Sequence, residues 1–227
     1  MKYIAHRGLS SQAPENTIPA FELAAAEQRY FGIETDVQTT KDGKFVIFHD
    51  DDLKRMIGIT KDLKDMTYLE ASSYPIINGA NIKKYGTLRI PLLSDYLDIC
   101  SYHDKTAVIE IKRIHDITQL SELINMLDQY PALSYIIISF NISYLKYLRA
   151  ITSADLQLLA DEIDDEIIYD CRVNHLDFSL SKDFVSPKWT QRLKNEGFKI
   201  ATWTVNDPSE AIKLESYGID YLTTDKL

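Results

Sequence analysis

Short apolar runs alternate with longer amphipathic segments along almost the whole chain. Nine of the runs have the composition of buried strands, and they cover residues 3–5, 32–37, 45–48, 107–111, 135–139, 156–160, 176–178, 200–205 and 221–223. Most of the segments between them repeat their apolar residues with the period of a helix. Since helices that cross between buried strands leave those strands parallel, the pattern predicts an α/β fold with a parallel sheet.

Capping signals support helices between the strands. Thr17 is placed to cap the first helix, with Pro19 in its first turn. Ser186 and Gly197 bracket a second helix. A capping box at residues 207–210 begins a third, which glycine at position 218 ends.

The number of strands favours a closed barrel. Eight strands joined by helices would form a (β/α)8 TIM barrel, and the 227 residues of the chain are close to the roughly 250 typical of that fold. One run is then an extra strand. Runs 32–37 and 45–48 are joined only by residues 38–44, which hold a Lys-Asp-Gly turn, so they form either a hairpin or an irregular second βα unit. An open doubly wound sheet is the alternative, although no glycine-rich phosphate fingerprint follows any strand.

The sequence shows no boundary between domains. Its 8 glycines and 7 prolines are too few for long flexible linkers, and neither a repeat nor a shift in composition divides it. We therefore predict a single barrel domain over residues 1–227. Residues 51–90 are polar and irregular, and we expect them to form an excursion from one barrel loop.

Composition narrows the class of protein and its partners. Hydrophobic residues make up 45% of the chain, enough for a large core, while the net charge of −9 argues against nucleic acid or an anionic membrane surface as a partner. No apolar run has the length of a membrane span, and the first residues lack the apolar segment of a signal peptide. Cys100 and Cys171 have no metal-binding or redox spacing, which favours reduced thiols and a cytoplasmic location.

Charged and titratable residues cluster where the predicted strands end. They form four pairs, His6 with Arg7, Glu34 with Asp36, His49 with Asp50, and Glu110 with Lys112. Residues two positions apart in a strand point to the same face. In a parallel barrel the carboxyl ends of the strands meet at one rim, where the active sites of this fold lie.

Three carboxylates in this set predict a metal ion. Brought together, Glu34, Asp36 and Glu110 would repel one another unless a cation neutralised them. An all-oxygen donor set suits a hard ion, and no cysteine cluster supports zinc. The set therefore indicates a site for one divalent cation, Mg²⁺ or Ca²⁺.

The remaining residues favour phosphate chemistry. His6 and His49 are then free to act as a proton-transfer pair, because imidazole titrates near neutral pH. Arg7 and Lys112 supply positive charge for an anionic substrate such as a phosphate. Together with a metal ion, these residues are suited to hydrolysing a phosphodiester.

Short motifs follow one another in a characteristic order over residues 4–225. The first fifty residues contain His6-Arg7-Gly8, Pro14-Glu15-Asn16-Thr17, Glu34-Thr35-Asp36, Thr40-Lys41-Asp42-Gly43 and His49-Asp50. Later blocks are Glu110-Ile111-Lys112, Ser139-Phe140, Trp203-Thr204-Val205-Asn206, and Gly218-Ile219-Asp220 with Thr224-Asp225. In this order the motifs resemble those of the glycerophosphodiester phosphodiesterase family.

The resemblance implies a (β/α)8 barrel enzyme that hydrolyses deacylated phospholipids to sn-glycerol 3-phosphate and an alcohol such as choline or ethanolamine. By motif position it assigns Glu34, Asp36 and Glu110 to the metal, His6 and His49 to acid–base catalysis, Arg7 and Lys112 to the phosphate, and Trp203 and Phe140 to the pocket wall. The nucleophile is either the neighbouring glycerol hydroxyl, through a cyclic phosphate, or water. The choice of histidine as base and the preferred alcohol stay open, and we expect residues 51–90 to act as a cap that meets the alcohol.

Two other functions stay as alternatives. A lysophospholipase D, or another phosphodiesterase acting on lipid, would use the same barrel, but it favours an exposed apolar or basic docking segment that does not stand out here. A barrel that binds its ligand without turnover predicts the loss of a histidine or a metal carboxylate, and all are present. A small glycerophosphodiester is therefore the predicted partner, without a stable membrane anchor.

Overall fold

Eight parallel strands close into one barrel in the computed structural model, which describes all 227 residues. The strands are β1 (Lys2–Ala5), β2 (Tyr30–Thr39), β3 (Phe45–Ile47), β4 (Thr106–Arg113), β5 (Tyr135–Ser139), β6 (Asp155–Ala160), β7 (Asp177–Ser181), β8 (Ile200–Trp203) and β9 (Tyr221–Thr224). All of them except β3 pair in parallel, and β1 pairs with both β2 and β9 to close the ring. The predicted (β/α)8 barrel is confirmed, and its closure excludes the open doubly wound sheet.

Helices connect the strands, and all but two short ones cover the outside of the barrel. They are α1 (Ile18–Ala26), α2 (Lys54–Ile57), α3 (Tyr68–Ala71), α4 (Leu93–Tyr102), α5 (Gln119–Leu127), α6 (Ile142–Ile151), α7 (Asp165–Val173), α8 (Pro187–Asn195) and α9 (Pro208–Ser216). Single 3₁₀ turns lie at Leu63–Asp65 and Ile82–Lys84. No helix combines the length and the apolar character that crossing a membrane requires.

The predicted caps of α1 and α9 are right in position but differ in detail. Thr17 precedes α1, but its hydroxyl donates to the Pro14 carbonyl instead of accepting a bond from the helix. The Asp207 carboxylate accepts the Glu210 backbone N–H at 2.9 Å. The Glu210 carboxylate pairs with Lys182 and does not complete the capping box.

The ninth strand belongs to a hairpin. β3 runs antiparallel to β2, with residues 37–39 opposite residues 45–47. Gly43 takes a φ of 75° in the connecting turn, where a side chain would be disfavoured. Of the two arrangements that the sequence allowed, the hairpin is therefore the one adopted. It returns the chain to β2, since the Phe48 N–H donates to the Asp36 carbonyl at 3.0 Å, and His49 follows beside that strand.

Apolar side chains fill the barrel interior as well as the layer beneath the helices. The interior cluster consists of Ile4, Val108, Ile136, Ile138, Leu159, Ala201 and Tyr221. The larger cluster includes Phe21, Leu97 and Ile109 and packs between barrel and helices. This packed layer closes the middle of the barrel, so the open space for a site lies at the carboxyl ends of the strands.

The excursion at residues 51–90 is less polar in its interior than its sequence suggested. It contains α2, α3 and both 3₁₀ turns, and with flanking residues it buries Val46, Phe48, Leu53, Met56, Ile57, Leu63, Met66, Ala71, Ile76 and Ile90. The apolar residues of this cluster are spaced without a regular period, so periodicity did not reveal it. Their burial gives the segment a defined structure beside the barrel rim.

The His-Arg-Gly turn after β1 is fixed by its contact with α1. Arg7 and Gly8 both have positive φ, 54° and 77°. A Cβ atom on Gly8 would lie only 2.6 Å from the Ala20 carbonyl carbon, so only glycine permits this approach. The turn directs the Arg7 backbone N–H toward the carboxyl ends of the neighbouring strands.

Gly8→Ala is expected to lower the free energy of unfolding by about 3 kcal/mol, because the methyl group would overlap α1 in addition to the strain of a left-handed φ. Gly197→Ala is the matched control, since Gly197 has a φ of 90° but open space at its Cβ position. Gly197→Ala should lower the free energy of unfolding by about 1 kcal/mol. Urea unfolding measures both variants, and equal losses would contradict the role given to the contact with Ala20.

Candidate active site

A cavity of about 230 Å³ lies where the carboxyl ends of the barrel strands meet. Every predicted site residue except Asp36 lines it: His6, Arg7, Glu34, His49, Glu110, Lys112, Phe140 and Trp203. Asp36 is fully buried, directly beside the other two carboxylates. No residue of the excursion at 51–90 lines the cavity.

Glu34, Asp36 and Glu110 converge because β2 and β4 are neighbours in parallel register, with Asp36 opposite Glu110. One carboxylate oxygen from each lies within 4.8 Å of the others. Burial, together with the nearby Asp36 charge, raises the pKa of Glu110 to about 7 and that of Glu34 well above its ordinary value. Burial also opposes ionisation of Asp36, but the cations around it outweigh this effect and hold its pKa low.

Two of these carboxylate oxygens have no hydrogen-bond donor in the protein. Glu34 Oε1 and Asp36 Oδ1 are buried and accept no hydrogen bond. Buried carboxylate oxygens without donors are costly, because the charge has lost its water. The three residues therefore fit a hard divalent cation, whose preferred ligands are oxygens.

Two cations lie against the carboxylates. The Arg7 backbone N–H donates to Glu34 Oε2 at 2.8 Å, and its Nε lies 3.2 Å from Asp36 Oδ2. Lys112 Nζ lies 2.8 Å from Glu110 Oε1 and 3.9 Å from Asp36 Oδ1. Both cations also face the cavity, so they are available to an anion bound there.

Each histidine is held by a carboxylate on its Nδ1 atom. His6 Nδ1 lies 2.8 Å from Asp225 Oδ1, and His49 Nδ1 lies 2.7 Å from Asp50 Oδ1. Burial works against the Asp225 charge, but hydrogen bonds from His6 and other donors outweigh it and hold the pKa of Asp225 far below its ordinary value. An ionised carboxylate only accepts hydrogen bonds, so Nδ1 of His6 carries a proton and Nε2 is left for proton exchange.

An aromatic pair forms one wall of the cavity. The rings of Phe140 and Trp203 meet edge to face, with centroids 5.7 Å apart. Trp203 Nε1 donates to the Ser179 carbonyl at 3.1 Å, which fixes the indole, whereas Phe140 is about half exposed (48%). The wall is thus apolar and partly open to solvent.

The glycerophosphoryl diester phosphodiesterase family profile matches residues 6–227. The chain belongs to this family. It is accordingly a phosphoric diester hydrolase, and the resemblance seen in its motifs is confirmed.

Relatives of this hydrolase include named enzymes and solved structures. The glycerophosphodiester phosphodiesterase of Caldanaerobacter subterraneus is 32% identical, over 98% of this chain and 93% of the relative. Mouse glycerophosphodiester phosphodiesterase 1 is 28% identical, over 99% of this chain and 78% of the relative. An Oleispira antarctica phosphodiesterase, solved in complex with the product sn-glycerol-3-phosphate, superposes with a TM-score of 0.92 at 26% identity and covers 99% and 93% of the two chains.

Several residues that shape the site of this hydrolase were not assigned a role from the sequence. Asp225 and Asp50 hold the two histidines at Nδ1. Asn16, with a φ of 56°, donates from Nδ2 to Asp36 Oδ2 at 2.7 Å. Glu15 accepts from Arg7 Nη1 at 2.9 Å. All four lie in motifs that carried the resemblance, and that was the available signal, but their partners lie on other segments of the chain.

The loop that carries His49 is anchored by a buried glutamine. Gln38 Nε2 donates to the carbonyls of Phe48 and Asp50, both at 2.8 Å, and lies 3.3 Å from the His49 carbonyl. Gln38 extends from the end of β2, so the strand itself fixes the backbone on both sides of the histidine. No sequence motif singled it out.

Gln38→Met is expected to lower the free energy of unfolding by about 2 kcal/mol, because it leaves the loop carbonyls without a donor at nearly constant side-chain volume. The control is Gln191→Met on the exposed face of α8, which should change stability by less than about 0.5 kcal/mol. Urea unfolding provides the measurement. A Gln38 variant as stable as the control would contradict the anchoring role.

Proposed function

We propose that this enzyme hydrolyses glycerophosphodiesters to sn-glycerol 3-phosphate and an alcohol. The observation that carries the proposal is one cavity at the barrel rim, lined by two carboxylate-held histidines and by two members of a cluster of three converging carboxylates. The product bound in the related Oleispira antarctica phosphodiesterase supports the same substrate class. We further propose a cytoplasmic location, in keeping with two buried and unpaired cysteines.

Glu34, Asp36 and Glu110 would hold one divalent ion, Mg²⁺ or Ca²⁺. The unpartnered oxygens of Glu34 and Asp36 support this assignment, because they are buried acceptors that a cation would satisfy. When bound, such an ion withdraws electron density from a phosphodiester oxygen and offsets developing negative charge.

Hydrolysis requires two proton transfers, and the two histidines are suited to them. One histidine accepts the proton of the attacking hydroxyl as its oxygen bonds to phosphorus. The other donates a proton to the alcohol oxygen as its bond to phosphorus breaks. The same two transfers serve attack by water and attack by the neighbouring glycerol hydroxyl, after which water opens the cyclic phosphate. Asp50 and Asp225 hold Nδ1 in both rings, so proton exchange falls to Nε2. Nε2 of His49 lies 3.3 Å from Lys112 Nζ, which is therefore placed to exchange or orient its proton.

Arg7 and Lys112 would bind the phosphate oxygens. Both line the cavity, and each is neutralised in part by the carboxylates on its inner side. The ion pairs orient the two cations before substrate arrives, so less side-chain entropy is lost on binding. The Phe140–Trp203 wall would contact the less polar part of the diester.

His6→Ala and His49→Ala are each expected to lower kcat by about 10³-fold, since each removes a proton-transfer group. The assay supplies glycerophosphocholine or glycerophosphoethanolamine with a divalent ion and measures sn-glycerol 3-phosphate. His103→Ala, a variant of a surface histidine paired with Glu22, should keep wild-type activity. Turnover that survives both site substitutions would contradict the acid–base assignment.

The same assay distinguishes the proposed glycerophosphodiesterase activity from the alternative, a lysophospholipase D activity. Lysophosphatidylcholine is supplied beside the two glycerophosphodiesters, with all products identified by mass spectrometry. We expect turnover of at least one glycerophosphodiester. Cleavage of the lysolipid with no turnover of any glycerophosphodiester would overturn the proposed substrate class.

Removing divalent ions with EDTA should abolish activity, and returning Mg²⁺ or Ca²⁺ should restore it. The ion should also raise Tm, and by more near pH 7 than near pH 5. Because the carboxyl pKa values are raised, the folded state without metal binds more protons than the unfolded chain. The stability of the metal-free protein therefore falls as pH rises from about 4.3 toward the Glu110 pKa of about 7. Bound metal replaces those protons and recovers the lost stability.

Glu110→Gln is the control for this effect. It removes one ligand charge, so the ion-dependent rise in Tm should shrink. Glu70→Gln, a surface variant in the excursion whose carboxylate pairs with Lys61, should leave the rise unchanged. An ion effect that is the same in Glu110→Gln and wild type would contradict the assignment of the three carboxylates to the metal.

A further inference from the structure

The guanidinium of Arg55 holds two carboxylates at once beside the cavity. Its Nε and Nη2 donate to the two oxygens of Asp50 at 2.7 and 3.0 Å. Its Nη1 and Nη2 donate to the two oxygens of Glu15 at 2.9 and 2.6 Å. Two fork-shaped contacts of this kind use the planar donor geometry that only arginine provides.

Each of these carboxylates holds a side chain that lines the cavity. Asp50 Oδ1 lies 2.7 Å from His49 Nδ1, and Glu15 Oε1 accepts from Arg7 Nη1 at 2.9 Å. Arg55 is therefore one residue removed from both His49 and Arg7. It lines no part of the cavity itself, and its side chain is 43% exposed.

The excursion is built to present Arg55 at this point. The neighbours Met56 and Ile57 are buried in its apolar cluster, and the Arg55 carbonyl accepts from Asn78 Nδ2 at 3.0 Å. A Cβ atom on Gly79 would lie 2.7 Å from Pro14, so this part of the excursion packs closely against the loop that carries Glu15. The backbone of Arg55 is thus fixed relative to both carboxylates.

We infer that Arg55 is a positioning residue, which orients His49 through Asp50 and Arg7 through Glu15 without touching the substrate. The inference rests on the proposed function, in which His49 transfers a proton and Arg7 binds phosphate. It gives the excursion a part in the reaction that does not depend on covering the alcohol. Without the guanidinium, Glu15 and Asp50 would also repel each other and leave both contacts less well defined.

Kinetics of Arg55→Met and Arg55→Lys test the inference. We expect Arg55→Met to lower kcat/KM by about 10²-fold, with loss in both kcat and 1/KM because a proton-transfer group and a phosphate-binding group are disturbed together. Arg55→Lys should lower kcat/KM by a smaller factor, since lysine keeps the positive charge but can pair closely with only one of the two carboxylates. Millimolar guanidinium should partly restore Arg55→Ala, and an equal concentration of tetramethylammonium should not.

Arg89→Met is the matched control. Arg89 lies in the same excursion but donates to the carbonyls of Ser72 and Ser73, away from the cavity. Its loss should leave kcat and KM at wild-type values. If Arg55 and Arg89 variants lose activity equally, and guanidinium restores neither, Arg55 only supports the excursion and the inference is overturned.

Histidine ¹H–¹⁵N NMR of the same proteins gives a readout independent of turnover. In wild type, His49 should show a protonated Nδ1 atom, and in Arg55→Met the His49 signals should report a mixture of tautomers. The His6 signals serve as the internal control, because His6 contacts Asp225 and not the Arg55 cluster. If wild type hydrolyses no glycerophosphodiester, the proposed function fails while the NMR result still decides the role of Arg55. Unchanged His49 signals in Arg55→Met would overturn the inference.

Discussion

Three carboxylates buried at one end of a packed barrel are the constraint on which the rest of the site depends. Their oxygens lie within 4.8 Å of one another, and two unit charges at that distance repel by about 3.5 kcal/mol at an effective dielectric constant of about 20. Arg7 and Lys112 relieve part of this repulsion, but oxygens of Glu34 and Asp36 keep no donor. The protein alone does not balance the charge, so the site accommodates further positive charge from protons or a cation.

Charge alternates outward from these carboxylates. Arg7 contacts the inner group, Glu15 contacts Arg7, and Arg55 contacts Glu15 and, on its other side, Asp50. Each layer neutralises the one inside it, so the net charge of −9 does not describe the cavity. The cavity presents Arg7 and Lys112 to a bound anion, while much of the chain's acidity lies elsewhere.

Local patterns predicted the barrel because a strand followed by a helix leaves a periodicity that survives in one sequence. They also brought Glu34, Asp36 and Glu110 together, since spacing within a strand fixes a face and parallel strands share a rim. The sequence did not predict the hairpin of β3 or the buried cluster of the excursion. Neither feature leaves a regular spacing of apolar residues along the chain. The contacts of Asp225 and Gln38 with the histidine segments depend on tertiary packing, which no local spacing records.

The pair formed by His6 and Asp225 joins residues 219 positions apart in sequence. It forms where β1 pairs with β9, the contact that closes the ring. An intermediate with most strands assembled but the ring still open would therefore have His6 without its partner, even if the three carboxylates had already met on β2 and β4. Because closing a loop of that size costs more chain entropy than forming a local contact, the proton transfer proposed for His6 requires the closed ring, and activity during refolding would follow ring closure and lag behind the formation of secondary structure.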